Sequence, residues 1–337
     1  MRSLKFAFGP MSLDFINAIS NYSKKKKIEV MLIASRNQIE CADLGSGYVN
    51  NFSTEAYAKY IKSKKNKYIK LCRDHSGPFL SDTEKNINLK NGVERTKQSL
   101  RADILSGFSM LHIDTSRVLS KKYAVAEELF DFCNNLALEN RTKIKFEFGS
   151  EDHGVKVSTK EFLKDLDFFF KIKNSKYLVC QTGSLVKEKY QVGSFDFFYS
   201  RKMSSIAKQK NIFLKEHNCD YLTKADIKLR EKANIGAINV APEIGVLQTE
   251  LVLNYGKIFG LEKQINSFKK VVLKGNKWKK WLYANKISED QKLSISGHYF
   301  FCSHEYKNLV YELEKKINLK YILQNNFYKY LDKFYEN

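Results

Sequence analysis

Acidic and imidazole side chains recur in this sequence directly after short apolar runs. The segment 69–79, IKLCRDHSGPF, ends its apolar run with Asp74 beside His75, and the run at 212–216 is followed by His217. Four of the six histidines fall at or near such run ends, at positions 75, 112, 153 and 217. Imidazole and carboxylate groups bind divalent metal ions, and a carboxylate beside them can move protons. A fold that gathers these residues would create a metal-assisted catalytic site.

Predicted strands and helices alternate along the chain and would bring these residues together. Short β-branched or aromatic runs are separated by longer stretches whose apolar residues recur three to four positions apart, as in helices. The runs predict eight strands, at 4–8, 28–35, 67–72, 110–114, 143–148, 177–181, 212–216 and 237–241. This α/β alternation over roughly 250 residues is typical of a (β/α)8 TIM barrel. A doubly wound sheet would also alternate, but no G-x-G-x-x-G follows the first strand.

The last eighty or so residues have a different pattern. They read as amphipathic helix, for example NLVYELEKKINLKYILQNNFYKYLDKFYEN, with no further strand followed by a polar break. We therefore predict two parts. Residues 1–255 form the barrel that carries the active site, and residues 256–337 form a helical C-terminal extension that packs on the barrel or on a partner.

Barrel enzymes build their sites at the C-terminal ends of the strands. His75 and His217 should meet there and bind a metal, whereas His112, inside its strand, is interpreted as structural. The polar residues that follow the predicted strands are expected to bind substrate. They are Arg36, Asn37, Gln38, Arg73, Asp114, Gln181, Ser184, Asn218 and Asn239.

The net charge of +21 comes from lysines spread along the whole chain. Without a nucleic-acid motif, this charge favours attraction of a small anionic metabolite such as a sugar phosphate over binding of nucleic acid. No apolar run approaches the roughly 20 residues that span a bilayer. The N-terminal residues lack the pattern of a signal peptide. The sequence predicts a cytoplasmic protein without a membrane partner.

Six segments, taken in order, resemble a known family. LIASRNQIECADLGSGYVNNFSTEAYAKYI is similar to the N-terminal signature of the class II tagatose-bisphosphate aldolase accessory (non-catalytic) subunits. CRDHSGPF is similar to that family's Gly-Asp-His-x-Gly-Pro segment, and LHIDTS to its His-x-Asp-x-Ser strand. FEFGSED, EHNCDYL and INVAPEIG match the remaining strand ends. The resemblance covers roughly residues 4–250.

These accessory subunits are similar in turn to the zinc-dependent class II fructose- and tagatose-bisphosphate aldolases. By that resemblance Asp74 is the acid/base, and His75 and His217 bind Zn²⁺ or another divalent metal. Glu147 would lie near the metal as a second catalytic residue, and Asn239 would contact the substrate. The resemblance implies a lyase of carbohydrate metabolism that cleaves a ketose phosphate or related sugar through a metal-stabilised enediolate.

The sequence departs from the aldolase pattern in two places. The aldolases carry a further zinc-binding histidine after strand six, where GSLVKE places Val186. This departure leaves His75, Glu147 and His217, a His₂Glu set that catalytic zinc sites do use. The aldolases' Gly-Gly-Ser phosphate loop is replaced by the residues 218–220, Asn-Cys-Asp.

Several alternatives remain open. The chain is either an aldolase or a non-catalytic accessory subunit that stabilises a separate aldolase, and it is expected to form a homo-oligomer or a hetero-oligomer with that subunit. Another lyase or isomerase reaction on a sugar is a third hypothesis, in which Lys215 could form a Schiff base. In the absence of the phosphate loop, the side chains that could hold a phosphate are Lys187, Lys189, Arg36 and Arg73.

Overall fold

The computed structural model describes residues 4–150, 158–283 and 287–336. Its strands are β1 (Lys5–Phe8), β2 (Val30–Ser35), β3 (Ile69–Ser76), β4 (Met110–Asp114), β5 (Lys145–Gly149), β6 (Ser175–Val179), β7 (Val186–Lys187), β8 (Tyr190–Gln191), β9 (Phe213–Glu216) and β10 (Ala237–Val240). Eight of them close a parallel barrel in the spatial order β1-β10-β9-β6-β5-β4-β3-β2, and β7 and β8 form a separate antiparallel hairpin. The predicted (β/α)8 barrel is confirmed.

Helices follow the barrel strands in turn. They are α1 (Leu13–Lys26), α2 (Thr54–Ser63), α3 (Leu89–Ser106), α4 (Lys122–Glu139), α5 (Thr159–Phe170), α6 (Phe197–Gln209), α7 (Lys224–Lys232), α8 (Pro242–Ile258), α9 (Glu262–Gly275), α10 (Glu289–Ser296), α11 (His304–Glu314) and α12 (Leu319–Tyr335). Many begin at a side-chain cap, such as Ser12 for α1 and Thr223 for α7, which satisfies a backbone amide of the first turn. None of the helices described is long and apolar enough to cross a membrane.

The interior of the barrel changes from apolar to polar along its axis. Side chains alternate along each strand, so every second residue points inward. A cluster that includes Met31, Cys72, Met110 and Ala237 forms an apolar layer. The inward positions two residues further along three of these strands are Asp74, His112 and Asn239. These polar side chains therefore lie nearer the C-terminal ends of the strands than the apolar layer, which fills the barrel interior beneath them.

The wall of the barrel is completed by the last helix of the chain. α12 packs against α1 and α7, whereas α8, which follows the eighth barrel strand, packs mainly with α9 to α11. Phe334 contacts both Phe6 and Phe8 of β1, with ring centroids 5.4 and 5.2 Å apart. Tyr22 of α1 donates a hydrogen bond to Asp332 at 2.7 Å. The C-terminal helix therefore covers β1 where the eighth outer helix of a barrel belongs.

We expect Phe327→Ala to lower the free energy of unfolding by about 3–5 kcal/mol, because it leaves a cavity between α12 and α1. Phe327 is fully buried and meets Phe15 edge to face, with the ring centroids 5.2 Å apart. The measurement is urea denaturation followed by circular dichroism. Tyr321→Ala, on the same helix but 62% exposed, is the matched control and should cost far less. Equal losses in the two variants would contradict this packing.

Candidate active site

A bulge in β3 explains how two adjacent residues both reach the barrel mouth. In a regular strand, Asp74 and His75 would point to opposite faces of the sheet. The register between β3 and β4 shifts between Arg73 and Ser76, and His75 adopts a left-handed φ of 45°. Such a bulge re-aims side chains. Asp74 Oδ2 consequently lies 3.7 Å from His75 Nε2.

Four side chains from two strands, β3 and β4, and from the exit of β9 converge at this point. They are Asp74, His75, His112 and His217, and each contributes one ligand atom to a group in which all atoms lie within 4.8 Å of one another. His75 Nε2 is 3.3 Å from His217 Nδ1, although 142 residues separate them in sequence. His112 Nδ1 lies 3.3 Å from Asp74 Oδ1. The predicted meeting of His75 and His217 is thus present in the structure.

Two carboxylates accept hydrogen bonds from the imidazole rings of His75 and His217. Asp114 Oδ2 accepts a hydrogen bond from Nδ1 of His75 at 2.6 Å. Glu147 Oε1 accepts one from Nε2 of His217 at 2.7 Å, and its other oxygen pairs with the ammonium group of Lys215. A carboxylate behind each ring fixes its tautomer. Nε2 of His75 and Nδ1 of His217 face each other across 3.3 Å, and these are the two nitrogens that we expect to bind a cation.

This donor set fits a divalent cation. Imidazole nitrogens beside a carboxylate suit zinc and related metals. The Asp74 side chain is 12% exposed, so the cluster opens to the mouth. Asn239 lies at its edge, with Nδ2 3.4 Å from Asp74 Oδ1. Glu147, predicted as a ligand, is fully buried behind His217 and is not part of the converging group.

The charges of the cluster shift its pKa values in opposite directions. Burial lowers the pKa of His75, but the charge of Asp74 and the hydrogen bond to Asp114 outweigh it and raise the pKa to about 9. Burial is the main reason that the pKa of His217 lies below its ordinary value. Burial raises the pKa of Asp74, yet the charges of His75 and His217 bring it well below its usual range.

The pKa of Glu147 is lowered as well. Burial alone would raise it, but the charge of Lys215, the charge of His112 and the hydrogen bond from His217 together bring the pKa to about 2. Glu147 is therefore ionised at neutral pH and is a permanent acceptor for His217.

Metal affinity should rise with pH, because a proton on His75 competes with the cation for Nε2. With a pKa of about 9 in the metal-free protein, His75 is protonated at pH 7. We expect the apparent affinity for Zn²⁺ to rise roughly tenfold per pH unit between pH 6 and 8, with about one proton released per ion bound. Isothermal titration calorimetry in buffers of different ionisation enthalpy measures both quantities. An affinity independent of pH over this range would contradict the assignment.

His112 has a larger part than its position inside a strand indicated. His112 belongs to the converging group, and its Nδ1 accepts a hydrogen bond from the backbone amide of His75 at 3.1 Å. Gly149 of β5 leaves room for the ring, since a Cβ there would lie 2.8 Å from Nε2. The interpretation of His112 as mostly structural did not anticipate a third imidazole at the cluster.

The two arginines predicted to bind substrate are buried elsewhere. Arg73 points away from Asp74 into the layer between strands and helices, where its five N–H groups are all taken, two of them by Asp103 at 2.6 and 2.8 Å. Arg36 pairs with Glu40 and Glu84 at 2.7 and 2.6 Å. Both arginines are 1% exposed. The structure therefore does not bring either guanidinium to the converging group.

Other predicted substrate residues also have structural partners. Asn37 links two loops by accepting from the amide of Asp82 at 2.8 Å. Gln38 accepts from the amide of Ser35 at 2.9 Å. Ser184 belongs to an outer network, in which it donates to Glu216 and accepts from Arg230. These hydroxyl and amide groups support the loops of the mouth.

The remaining predicted positions lie at the strand exits. Gln181 is buried after β6, Asn218 follows His217 in a left-handed conformation, and Asn239 borders Asp74. Asp114, predicted to touch substrate, instead supports His75. His153 lies outside the described residues.

Lys215 is the residue of the site that the sequence did not assign to its role. It is 1% exposed and pairs with Glu147 inside the barrel, next to His217. The signal was available, because a lysine at an inward position of a buried strand requires a charged partner there. With its ammonium group engaged by a carboxylate, Lys215 does not have the desolvated, unpaired setting that activates a Schiff-base lysine.

Comparison with known proteins gives structural relatives only. No family model and no curated protein matches the sequence. The structure is similar to that of a "probable tagatose 6 phosphate kinase" from Sinorhizobium meliloti 1021, with a TM-score of 0.75, 16% identity, and coverage of 92% of this chain and 86% of that chain. A fructose-bisphosphate aldolase from Campylobacter jejuni matches with a TM-score of 0.54, 14% identity, and coverage of 75% and 76%. At these identities the likeness shows the fold alone.

Proposed function

We propose that the chain is a metal-dependent lyase of the class II aldolase type, which cleaves a carbon–carbon bond in a ketose or a related sugar. One observation carries the proposal. His75 Nε2 and His217 Nδ1 lie 3.3 Å apart at the barrel mouth, and each ring has its other nitrogen on a buried carboxylate. Two rings oriented in this way, beside an accessible carboxylate, are the arrangement that a catalytic metal requires.

His75 and His217 would hold the cation, and His112 is the third imidazole within reach. A divalent cation bound there would polarise the carbonyl of the ketose and stabilise the negative charge that develops as the bond breaks. Asp114 and Glu147 keep the first two rings in the required tautomers. The predicted catalytic role of Glu147 is thus proposed to be one of positioning.

Asp74 is proposed to move the proton. Its low pKa keeps the carboxylate ionised at neutral pH. Asp74 can therefore accept the proton of the hydroxyl group on the carbon that becomes the aldehyde. The electrons of the O–H bond then form the new carbonyl, those of the carbon–carbon bond pass to the ketone-derived fragment, and the carbon that carries them takes a proton from water to complete the second product. In the condensation direction Asp74 returns the same proton. Asn239, 3.4 Å from Asp74 Oδ1, orients the carboxylate.

The test is retro-aldol cleavage of a panel of ketoses and ketose phosphates by the purified chain, with Zn²⁺, Co²⁺ or Mn²⁺. We expect a chelator to abolish cleavage and Asp74→Asn to lower kcat by about 10²–10⁴-fold, while the variant still binds metal. Asp43→Asn, which changes an exposed carboxylate, is the control and should be as active as the original. Failure to bind any divalent metal, with cleavage unaffected by chelator, would refute the proposal.

A second candidate is the non-catalytic accessory subunit. The observation in its favour is that Val186, at the place where the resemblance expects a zinc-binding histidine, lies buried in the hairpin strand β7. This candidate predicts that the isolated chain is inactive and co-purifies with a separate aldolase subunit. Turnover of any sugar by the isolated chain would exclude it.

A further inference from the structure

The loops after the seventh and eighth strands of a (β/α)8 barrel, together with a helix N-terminus, frequently bind phosphate through backbone amides. In this chain those strands are β9 and β10, and the helix is α8. The loop after β9 contains Asp220, whose side chain is buried, with 2% of it exposed. The Asp220 side chain points at the beginning of α8.

The backbone amides at this helix start are all occupied. Asp220 Oδ1 accepts from the amide of Ala241 at 3.0 Å and from that of Glu243 at 2.9 Å. Pro242 has no N–H, and the amide of Ile244 donates to the carbonyl of Ala241 at 3.2 Å. From residue 241 to residue 244, no amide remains for an external anion.

A second carboxylate, that of Glu243, links the start of α8 to the loop after β9 and to α12. Glu243 accepts from the amide of Tyr221 at 2.7 Å, from the hydroxyl of Tyr330 at 2.8 Å and from Nζ of Lys333 at 3.0 Å. Gln191 of β8 also donates to the backbone carbonyls of Asn218 and Asp220. The loop after β9 is therefore fastened to α8, to α12 and to the hairpin, and two acidic side chains occupy the region where (β/α)8 barrels frequently bind phosphate.

Two buried side-chain atoms at the ends of β9 and β10 have no hydrogen-bond partner among the described residues: Oδ1 of Asn239 is an acceptor and Nδ2 of Asn218 is a donor. This pair suits a hydroxyl group, because a hydroxyl both donates and accepts. Asn239 is 5% exposed, and its Oδ1 has no hydrogen-bond partner among the described residues, while its Nδ2 faces Asp74. A sugar hydroxyl can donate to this oxygen, whereas a phosphate dianion has no hydrogen to donate and would be repelled. The chemistry here favours a neutral, hydroxyl-bearing end of a substrate.

We propose that the sugar substrate carries a hydroxyl and no phosphate at the end that lies over β9 and β10, and that Asp220 is the residue that excludes phosphate from this position. The proposal rests on the proposed function for the identity of the substrate as a sugar. The exclusion of phosphate itself concerns binding and can be measured without turnover.

The experiment is titration of inorganic phosphate into the metal-free full-length chain by calorimetry, with two variants of Asp220. Asp220→Gly removes the oxygen from the two amides, and Asp220→Asn keeps an oxygen there as the matched control. We expect no saturable binding by the original chain or the Asn variant at millimolar phosphate, and saturable binding by the Gly variant. Circular dichroism confirms that each variant is folded.

Two results would overturn the proposal. One is saturable phosphate binding by the original chain that is weakened in the Asn variant. The other is a folded Gly variant that binds phosphate no better than the original.

In the cleavage assay we expect phosphorylation at one end of the ketose to lower kcat/KM at least tenfold. A tenfold preference for both the 1-phosphate and the 6-phosphate would contradict the proposal. If no sugar is cleaved at all, the proposed function fails while the phosphate titration still decides this point.

Discussion

Alanine at His75 or at His217 should lower the affinity for Zn²⁺ by well over the roughly 10–100-fold that the loss of a supporting carboxylate costs. Each substitution removes one of the two nitrogens that face each other across 3.3 Å. Asp114→Asn and Glu147→Gln keep an oxygen behind each ring and should fall within the smaller range. Chelator competition at fixed pH ranks the four variants in one measurement.

His304→Ala is the matched control for these substitutions, because its imidazole is exposed on α11 and is not in the group of potential metal ligands found among the described residues. Its affinity for Zn²⁺ should equal that of the original chain. If the His75 and His217 variants bind Zn²⁺ as tightly as the His304 variant, the converging group is not a metal site, and the lyase proposal loses its support.

Lys215→Met should be among the most destabilising single substitutions in the protein. Lys215 and Glu147 are 1% and 0% exposed, and removal of one partner leaves an unpaired charge in the barrel interior. Breaking a buried pair in this way costs about 3–5 kcal/mol. Because Glu147 also holds His217, we expect weaker Zn²⁺ binding in addition to a lower free energy of unfolding.

The double variant Lys215→Met with Glu147→Gln tests whether the stability is lost because of the unpaired charge or because of the changed side-chain shape. It removes both charges and leaves an amide oxygen for Nε2 of His217, so most of the lost stability should return. Urea denaturation of the two single variants and the double variant gives the coupling energy. Additive losses would show that Lys215 acts independently of Glu147.

The barrel was predictable because the same pattern, a short apolar run followed by a helical stretch, is repeated along the sequence. Runs such as 28–35 and 237–241 are short, β-branched and bounded by polar breaks, and they coincide closely with β2 and β10. The meeting of His75 and His217 followed from a general property of barrels, since all strand exits lie at one end. Position along the chain was enough for both conclusions.

The roles of single side chains were less predictable, because a strand alternates its faces. Arg73 and Asp74 are adjacent at the same exit, yet one faces the helices and the other the interior. The bulge then places His75 on the same side as Asp74. Whether a charged residue faces the mouth or a buried partner such as Asp103, 30 positions away, depends on tertiary packing that local sequence does not encode.

The position of α12 has a consequence for how the chain is made. Tyr22 and Asp332 are joined across 310 residues, so β1 keeps an uncovered apolar side until α12 has emerged from the ribosome. Contacts between such distant segments form slowly, and the exposed Phe6 and Phe8 would meanwhile invite aggregation. Synthesis of this protein should therefore depend on chaperones, and a circular permutant that joins α12 directly to β1 should reach its native state faster.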